Sequence, residues 1–382
     1  MKHLLTIIII NLFALLLPII SYGQQTINAT ILHDGLQREY ILYIPESYSP
    51  ETATPLVFNY HGYTSNAYEQ MNYGDFRPIA DTANFIIVHP MGTVDMLGNT
   101  HWNVGWGTST VDDLGFTDAL IDSIAADYHI NFDRIYSTGM SNGGFMSYYV
   151  ACHLSNRFAA IASVTGSMNV GQTSSCNCLH PMPTMEFHGT ADNTVPYDGN
   201  TIFLPIEDVV SYWVDFNNCN TEAIVTEMPD LDPNDGSTAV FYLYENGTEG
   251  TEVQHYKIIN GGHAWPGSAY DIGGTNYDID ASSLIWKFFA RYDINGLINA
   301  TAIQNVIEYP EKISIYPNPC FSVLYIDTPS NSDAYYELFS TLGILIESGR
   351  ISSSQNNIDL SHLIPNTYFL KIENQTYRII KL

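Results

Sequence analysis

Cations are scarce in this chain. Its 382 residues carry 13 Lys+Arg against 40 Asp+Glu, a net charge of -27, and that surplus repels nucleic acid, anionic membrane and polyanionic substrates. The acidic residues are spread along the chain and hydrophobic residues make up 45% of it, so the charge does not signal disorder. Metal motifs are lacking too: there is no H-E-x-x-H and no histidine cluster at ligand spacing, so neither a metal nor another cofactor is expected. His129, His153, His180 and His255 are scattered and read as structural. Cysteines number five. Cys176 and Cys178 are spaced too closely for a redox C-x-x-C, and a zinc site lacks a second pair. The long apolar run, residues 4–20, is interrupted by Asn11 and Pro18 and falls short of the about 20 residues a span requires. With Lys2 ahead of it and Ser21-Tyr22-Gly23 after it, it reads as an export signal over residues 1–23 rather than a stable membrane span. No cysteine at the cleavage site indicates a lipid anchor. The remaining chain of roughly 360 residues is long for one domain and suggests two.

The most informative stretch is residues 134–149, R-I-Y-S-T-G-M-S-N-G-G-F-M-S-Y-Y. Residues 135–138 form a β-prone run, Gly139 to Gly143 read G-x-S-x-G, and Phe145, Tyr148 and Tyr149 follow at helical spacing. A serine on a tight strand-to-helix turn is pushed out of the backbone, and glycines two residues to either side avoid collision with strand and helix. Ser141 is therefore the candidate nucleophile. The amide of Asn142 begins the helix, where unpaired N–H groups and the dipole favour an oxyanion.

Three further pieces follow the expected order. Residues 56–60 (L-V-F-N-Y) read as a buried strand ending in His61-Gly62-Tyr63, and Tyr63 N–H is the candidate second oxyanion donor. The apolar run 185–187 empties into His188-Gly189-Thr190-Ala191-Asp192, which makes Asp192 the candidate orienting acid. The strand-like run 253–259 leads to Asn260-Gly261-Gly262-His263-Ala264-Trp265, and His263 is the candidate base. Ser, Asp, His is the chain order of α/β-hydrolase triads. His61 and His188 are expected to shape loops rather than carry protons. Trp102 and Trp106, on an irregular segment, and Trp265, two residues past His263, are the expected substrate walls. Asp112 and Asp113 open a helix that runs to about residue 128, as caps or as contacts steadying the elbow.

G-M-S-N-G-G, H-G-T-A-D-N-T-V-P-Y, G-G-H-A-W-P-G and the upstream V-D-D-L-G-F-T together resemble the secreted polyhydroxybutyrate depolymerase and feruloyl or acetylxylan esterase group of the α/β-hydrolases. The similarity spans roughly residues 26–292. Tyr63 departs from the residue that often follows His-Gly in that group. The resemblance implies an α/β fold with a mostly parallel sheet and helices on both faces over residues 24–295. It also implies a serine carboxylic ester hydrolase acting on short-chain or aryl esters, their source a polymer. A serine peptidase of the same fold and a non-catalytic carbohydrate-binding or adhesive surface protein stay open as alternatives. Export allows disulfides: Cys152, at the end of the elbow helix, is expected to pair with Cys176 or Cys178, and Cys219 with the other.

Composition shifts after residue 295. Residues 296–311 read as a linker, and residues 312–382 alternate in short strands with turns every ten or so residues, the pattern of a small β-sandwich. Tyr316-Pro317-Asn318-Pro319, the Leu342-Gly343 turn, Leu363 to Tyr368 and the late Lys381 resemble the C-terminal sorting domain of type IX secretion cargo, with a carbohydrate-binding module as the alternative. That resemblance implies a partner, the secretion machinery, and a secreted or cell-surface location.

Overall fold

A computed structural model describes residues 23–298 and, further on, 314–316, 320, 322–327, 334–340, 344–351, 357–372 and 375–381. The expected export signal up to residue 22 and most of the expected linker lie outside the described residues. The chain divides into two units, one through residue 298 and one from residue 299.

In the first unit, β1 (Gln25–His33) and β2 (Leu36–Ile44) form a hairpin. Its turn residues, Asp34 and Gly35, both take positive φ, the backbone that matches the right-handed twist of the flanking strands. There follow β3 (Thr54–Tyr60), α1 (Ala67–Tyr73), α2 (Arg77–Ala83), β4 (Ile86–Pro90), α3 (Asp113–Asp127), β5 (Ile130–Met140), α4 (Asn142–His153), β6 (Ala160–Val164) and β7 (Thr184–Gly189). The longer elements end with α5 (Ile206–Phe216), β8 (Ile224–Glu227), β9 (Thr238–Tyr244), β10 (Val253–Ile259) and α6 (Ala281–Phe289). Ten strands make one sheet in the order β1-β2-β4-β3-β5-β6-β7-β10-β9-β8. From β4 through β10 the neighbours are parallel, and an antiparallel pair closes each edge.

Burial on both faces explains the continuous apolar runs in the central strands. Leu56 and Phe58 of β3 pack with Phe116, Leu120 and Ile121 of α3 and Phe145 of α4. Val57, pointing the other way, joins Ala80 of α2 and Trp286 and Phe289 of α6. Asp112 caps α3 by accepting from Gly115 N–H at 2.8 Å. A disulfide joins Cys152, at the end of α4, to Cys176. The expected second bridge does not form. Cys178 and Cys219 are free, and each thiol is directed at a carbonyl instead, that of His180 at 3.2 Å and that of Thr251 at 3.7 Å.

The second unit is antiparallel throughout its described strands. A three-stranded sheet (Ser314–Tyr316, Val323–Asp327, Asn357–Asp359) and a four-stranded one (Ala334–Ser340, Leu345–Ile351, Asn366–Ile372, Gln375–Lys381) share one core. Leu324, Ile326 and Ile358 come from the first, and Leu338, Ile351, Leu370, Ile372 and Ile379 from the second. Two sheets closing one apolar layer form a small β-sandwich.

Each unit has a core of its own, so a chain ending at Ile298 is expected to keep the thermal midpoint of the first unit within about 3 °C, under ~1 kcal/mol for a unit of this size. Calorimetry of the two chains measures it, and a larger loss contradicts independent cores.

Candidate active site

Four loops meet at the C-terminal ends of the parallel strands: His61-Gly62-Tyr63 after β3, Ser141 after β5, Asp192 after β7 and His263 after β10. Open parallel sheets place their binding crevice at this edge. Ser141 takes φ 55 and ψ -120 between β5 and α4, a backbone that L-residues rarely adopt and that costs roughly 1–3 kcal/mol. Close packing around the turn demands glycine on both sides. A Cβ on Gly139 would lie 2.6 Å from Tyr60 O, and one on Gly143 only 2.1 Å from the same carbonyl oxygen.

The loop after β3 abuts the serine, since a Cβ on Gly62 would sit 3.4 Å from Ser141 Cβ. The backbone N–H groups of Tyr63 and Asn142 donate to no protein acceptor among the described residues. Trp102 braces this corner. Its Nε1–H donates to His61 O at 3.0 Å, its backbone N–H donates to Asn142 Oδ1 at 2.6 Å, and its carbonyl accepts from Asn142 Nδ2 at 3.2 Å. His61 is buried and serves the backbone on both sides, Nδ1 lying 2.7 Å from Gly62 O and Nε2 accepting from Gly92 N–H at 2.9 Å. Burial pushes its pKa down to about 4, which keeps the ring neutral. Behind Trp102, buried Asp113 binds Arg38 at 2.6 Å and accepts from Asn103 N–H at 2.7 Å, so this aspartate steadies the elbow as the sequence suggested.

His263 Nδ1 lies 2.6 Å from Asp192 Oδ2. The other Asp192 oxygen accepts from the N–H groups of Thr194 at 2.8 Å and Val195 at 2.9 Å. Burial raises the Asp192 pKa, but hydrogen bonds from His188 and His263 outweigh it and hold the carboxyl well below the usual carboxylate range. His263 and Ser141 line one cleft, and no hydrogen bond joins them directly among the described residues, the looser geometry usual before substrate binds.

That cleft has a volume of about 470 Å³, and its aromatic walls are Tyr63, Tyr68, Tyr73 and Tyr270, with Ile272 and Met140 beside them. The tryptophans expected there are elsewhere. Trp102 is fully buried in the bracing role just described. Trp265 is folded inward, 1% exposed, edge-on to Phe76, with Nε1–H donating to Ser282 Oγ at 3.1 Å. Trp106 is half-buried against Phe145 and Phe203 and donates to Asn169. For Trp102 and Trp265, burial with the N–H satisfied gains more than lining an open cleft, while Trp106 stands edge-on behind Tyr63. Tyr68, Tyr73 and Tyr270 escaped the sequence reading because α1 and the 270–272 loop carry no catalytic motif. Glu186 escaped it too, and His188, read as shaping a loop, is joined to it behind Asp192 at 2.9 Å, both fully buried.

Residues 81–198 match the family model described as the prolyl oligopeptidase family, and residues 314–382 match the secretion system C-terminal sorting domain. A bifunctional acetylxylan esterase/xylanase of Neocallimastix patriciarum is 25% identical over 279 residues, 72% of this chain and 36% of that protein. Feruloyl esterase B of Piromyces equi is 28% identical over 238 residues, 59% of this chain and 42% of that one. The chain thus spans less than half the length of these two relatives. The solved acetyl xylan esterase from Aspergillus awamori superposes with a TM-score of 0.52 at 12% identity, covering 70% of this chain and 99% of that one.

Trp265→Ala is expected to lower the unfolding free energy by about 3–5 kcal/mol, as for other buried aromatic truncations, with KM for small esters little changed. Denaturant titration beside steady-state kinetics measures both, and an intact fold with a raised KM would restore the ring to the cleft wall.

The resemblance to the feruloyl and acetylxylan esterases stands: residues 23–298 have the α/β-hydrolase fold, and residues 314–382 carry a secretion sorting domain, which marks the chain as secreted or cell-surface.

Proposed function

We propose that the chain is an exported serine carboxylic ester hydrolase. Ser141 Oγ attacks the ester carbonyl, His263 Nε2 takes the hydroxyl proton and returns it to the leaving alcohol, and Asp192 fixes the tautomer that leaves Nε2 free. The N–H groups of Tyr63 and Asn142 receive the oxyanion. Water then attacks the acyl-enzyme by the same route, with no cofactor in the cycle. The observation that carries this reading is the meeting, at one edge of the sheet, of a serine in left-handed backbone with two free N–H groups and a histidine bonded to a buried carboxylate.

Likeness to an acetylxylan esterase/xylanase and a feruloyl esterase supports a narrower proposal, short-chain or aryl esters carried on an acetylated or feruloylated plant polysaccharide; a related polyester such as a polyhydroxyalkanoate is proposed from the sequence motifs alone. Tyrosine walls suit stacking of a sugar face or an aryl acid. Glu69 among the lining residues disfavours anionic acyl groups. The match of residues 81–198 to the prolyl oligopeptidase family supports a second reading, amide cleavage by the same groups. In the proposed organisation residues 1–23 are an export signal, 24–295 the hydrolase, 296–311 a linker and 312–382 the domain read by the type IX secretion machinery.

A panel of p-nitrophenyl acetate, methyl ferulate, acetylated xylan, polyhydroxybutyrate and a peptide amide tests the assignment. The account expects ester turnover, reduced in Ser141→Ala by on the order of 10⁶ at an unchanged thermal midpoint, since the substituted side chain contributes little packing. Activity surviving that change, or a peptide amide as the best substrate, would overturn it.

A further inference from the structure

Two buried ionisable side chains stand behind Asp192 with no part in the chemistry above. Glu186 and His188 are adjacent same-face positions of β7, 1% and 0% exposed. His188 Nε2 lies 2.8 Å from Val195 O and 3.4 Å from Asp192 Oδ2, while Nδ1 lies 2.9 Å from Glu186 Oε1. Because a carbonyl oxygen only accepts, Nε2 carries a proton. The Glu186 carboxylate is served on its other oxygen by Tyr148 O–H from α4, at 2.7 Å. Burial raises the Glu186 pKa against the hydrogen bonds from His188 and Tyr148 that lower it; as a carboxylate it accepts a hydrogen bond from Nδ1–H, which keeps its proton, and the ring is an imidazolium between two carboxylates.

Resting on the triad reading, we propose that Glu186 and His188 are positioning residues, a second acid–imidazole pair that holds Asp192 ionised and aimed at His263. They act on the reaction only through Asp192. The rest of the surroundings fit that state. Tyr197 stands edge-on to the His188 ring at 5.9 Å, and its hydroxyl meets His255 Nε2 from β10 at 2.9 Å and donates to Glu207 from α5 at 2.7 Å. Burial lowers the His255 pKa to about 4, and its Nδ1 faces the Glu186 backbone carbonyl at 3.2 Å. Burial alone would lower the His188 pKa as well, but Asp192 and Glu186 outweigh it and push it up to about 9. A folded value above the unfolded imidazole's ~6.5 means that the stabilisation is complete below ~6.5 and is lost as pH rises through about 9.

The test is His188→Gln in the full chain, read as a pH profile. Without the imidazolium, Asp192 becomes more basic and binds protonated His263 more firmly, so the acid limb of kcat/KM moves to higher pH, by about half a unit or more. The kcat falls on the order of ten- to a hundredfold, with KM nearly unchanged. A loss of kcat at every pH with the limb unmoved is the mark of a merely structural residue and overturns the proposal. Should that variant fail to fold, ¹⁵N-histidine NMR of the unaltered protein decides. The His188 ring, assigned through its backbone connectivity to Phe187 and Gly189 because His255 also packs on the Tyr197 ring, is expected to keep both ring nitrogens protonated at pH 7.5 and to lose one as pH rises through about 9. A neutral ring there at pH 7.5 contradicts the pair. Neither readout depends on which ester is cleaved, and the NMR readout needs no turnover, so failure of the hydrolase reading would appear separately as absent ester turnover.

Discussion

The left-handed backbone at Ser141 is the constraint on which the rest depends. A serine at φ 55 is strained by roughly 1–3 kcal/mol and persists only where its surroundings leave no alternative. Here they do not. Gly139 and Gly143 pack against the end of β3 at distances no side chain tolerates, and Ser141 N–H is tied to Val164 O of β6 at 2.8 Å. The parallel centre of the sheet sets these heights, because β3, β5 and β6 must end level for the turn to be wedged between them. The same wedge sets the loop carrying Tyr63 against Ser141, so the strain belongs with the two N–H groups that are proposed to receive the oxyanion.

Around that wedge, polar groups are buried in two connected sets. Hydrogen bonds joining Arg38, Asp113 and Asn103, and others joining Trp102, Asn142 and His61, meet at the Trp102–Asn103 peptide and run from the edge hairpin to the elbow. The Arg38–Asp113 pair is itself nearly inaccessible, and a buried ion pair of this kind contributes more to register than to net stability. Tyr148, Glu186, His188, Asp192 and His263 form a second set on the opposite side of Ser141. Removing a member of either leaves a buried partner unsatisfied, which costs about 1–3 kcal/mol.

The central strands and the four loops were legible because each motif follows an apolar run that only a buried parallel strand explains. The direction of a side chain within an irregular loop was not. Trp265 lies two residues from His263, but the bend at Gly262 to Ala264 sends its ring into the core. The run M-E-F-H reads as apolar with a glutamate inside it, although alternation in β7 puts Glu186 and His188 on one face and Met185 and Phe187 on the other. Free Cys178 and Cys219 were beyond reach for the same reason, since pairing depends on geometry that spacing does not encode.

Covalent labelling probes the presentation of Ser141 most directly. A fluorophosphonate reacts with a serine only where a base and an oxyanion site activate it. Incubation of the folded chain followed by peptide mass spectrometry is predicted to place the phosphonyl adduct on Ser141 alone, with labelling abolished by heat denaturation and sharply slowed in His263→Ala. An unlabelled Ser141, or an adduct that forms equally in the denatured chain, would contradict the account.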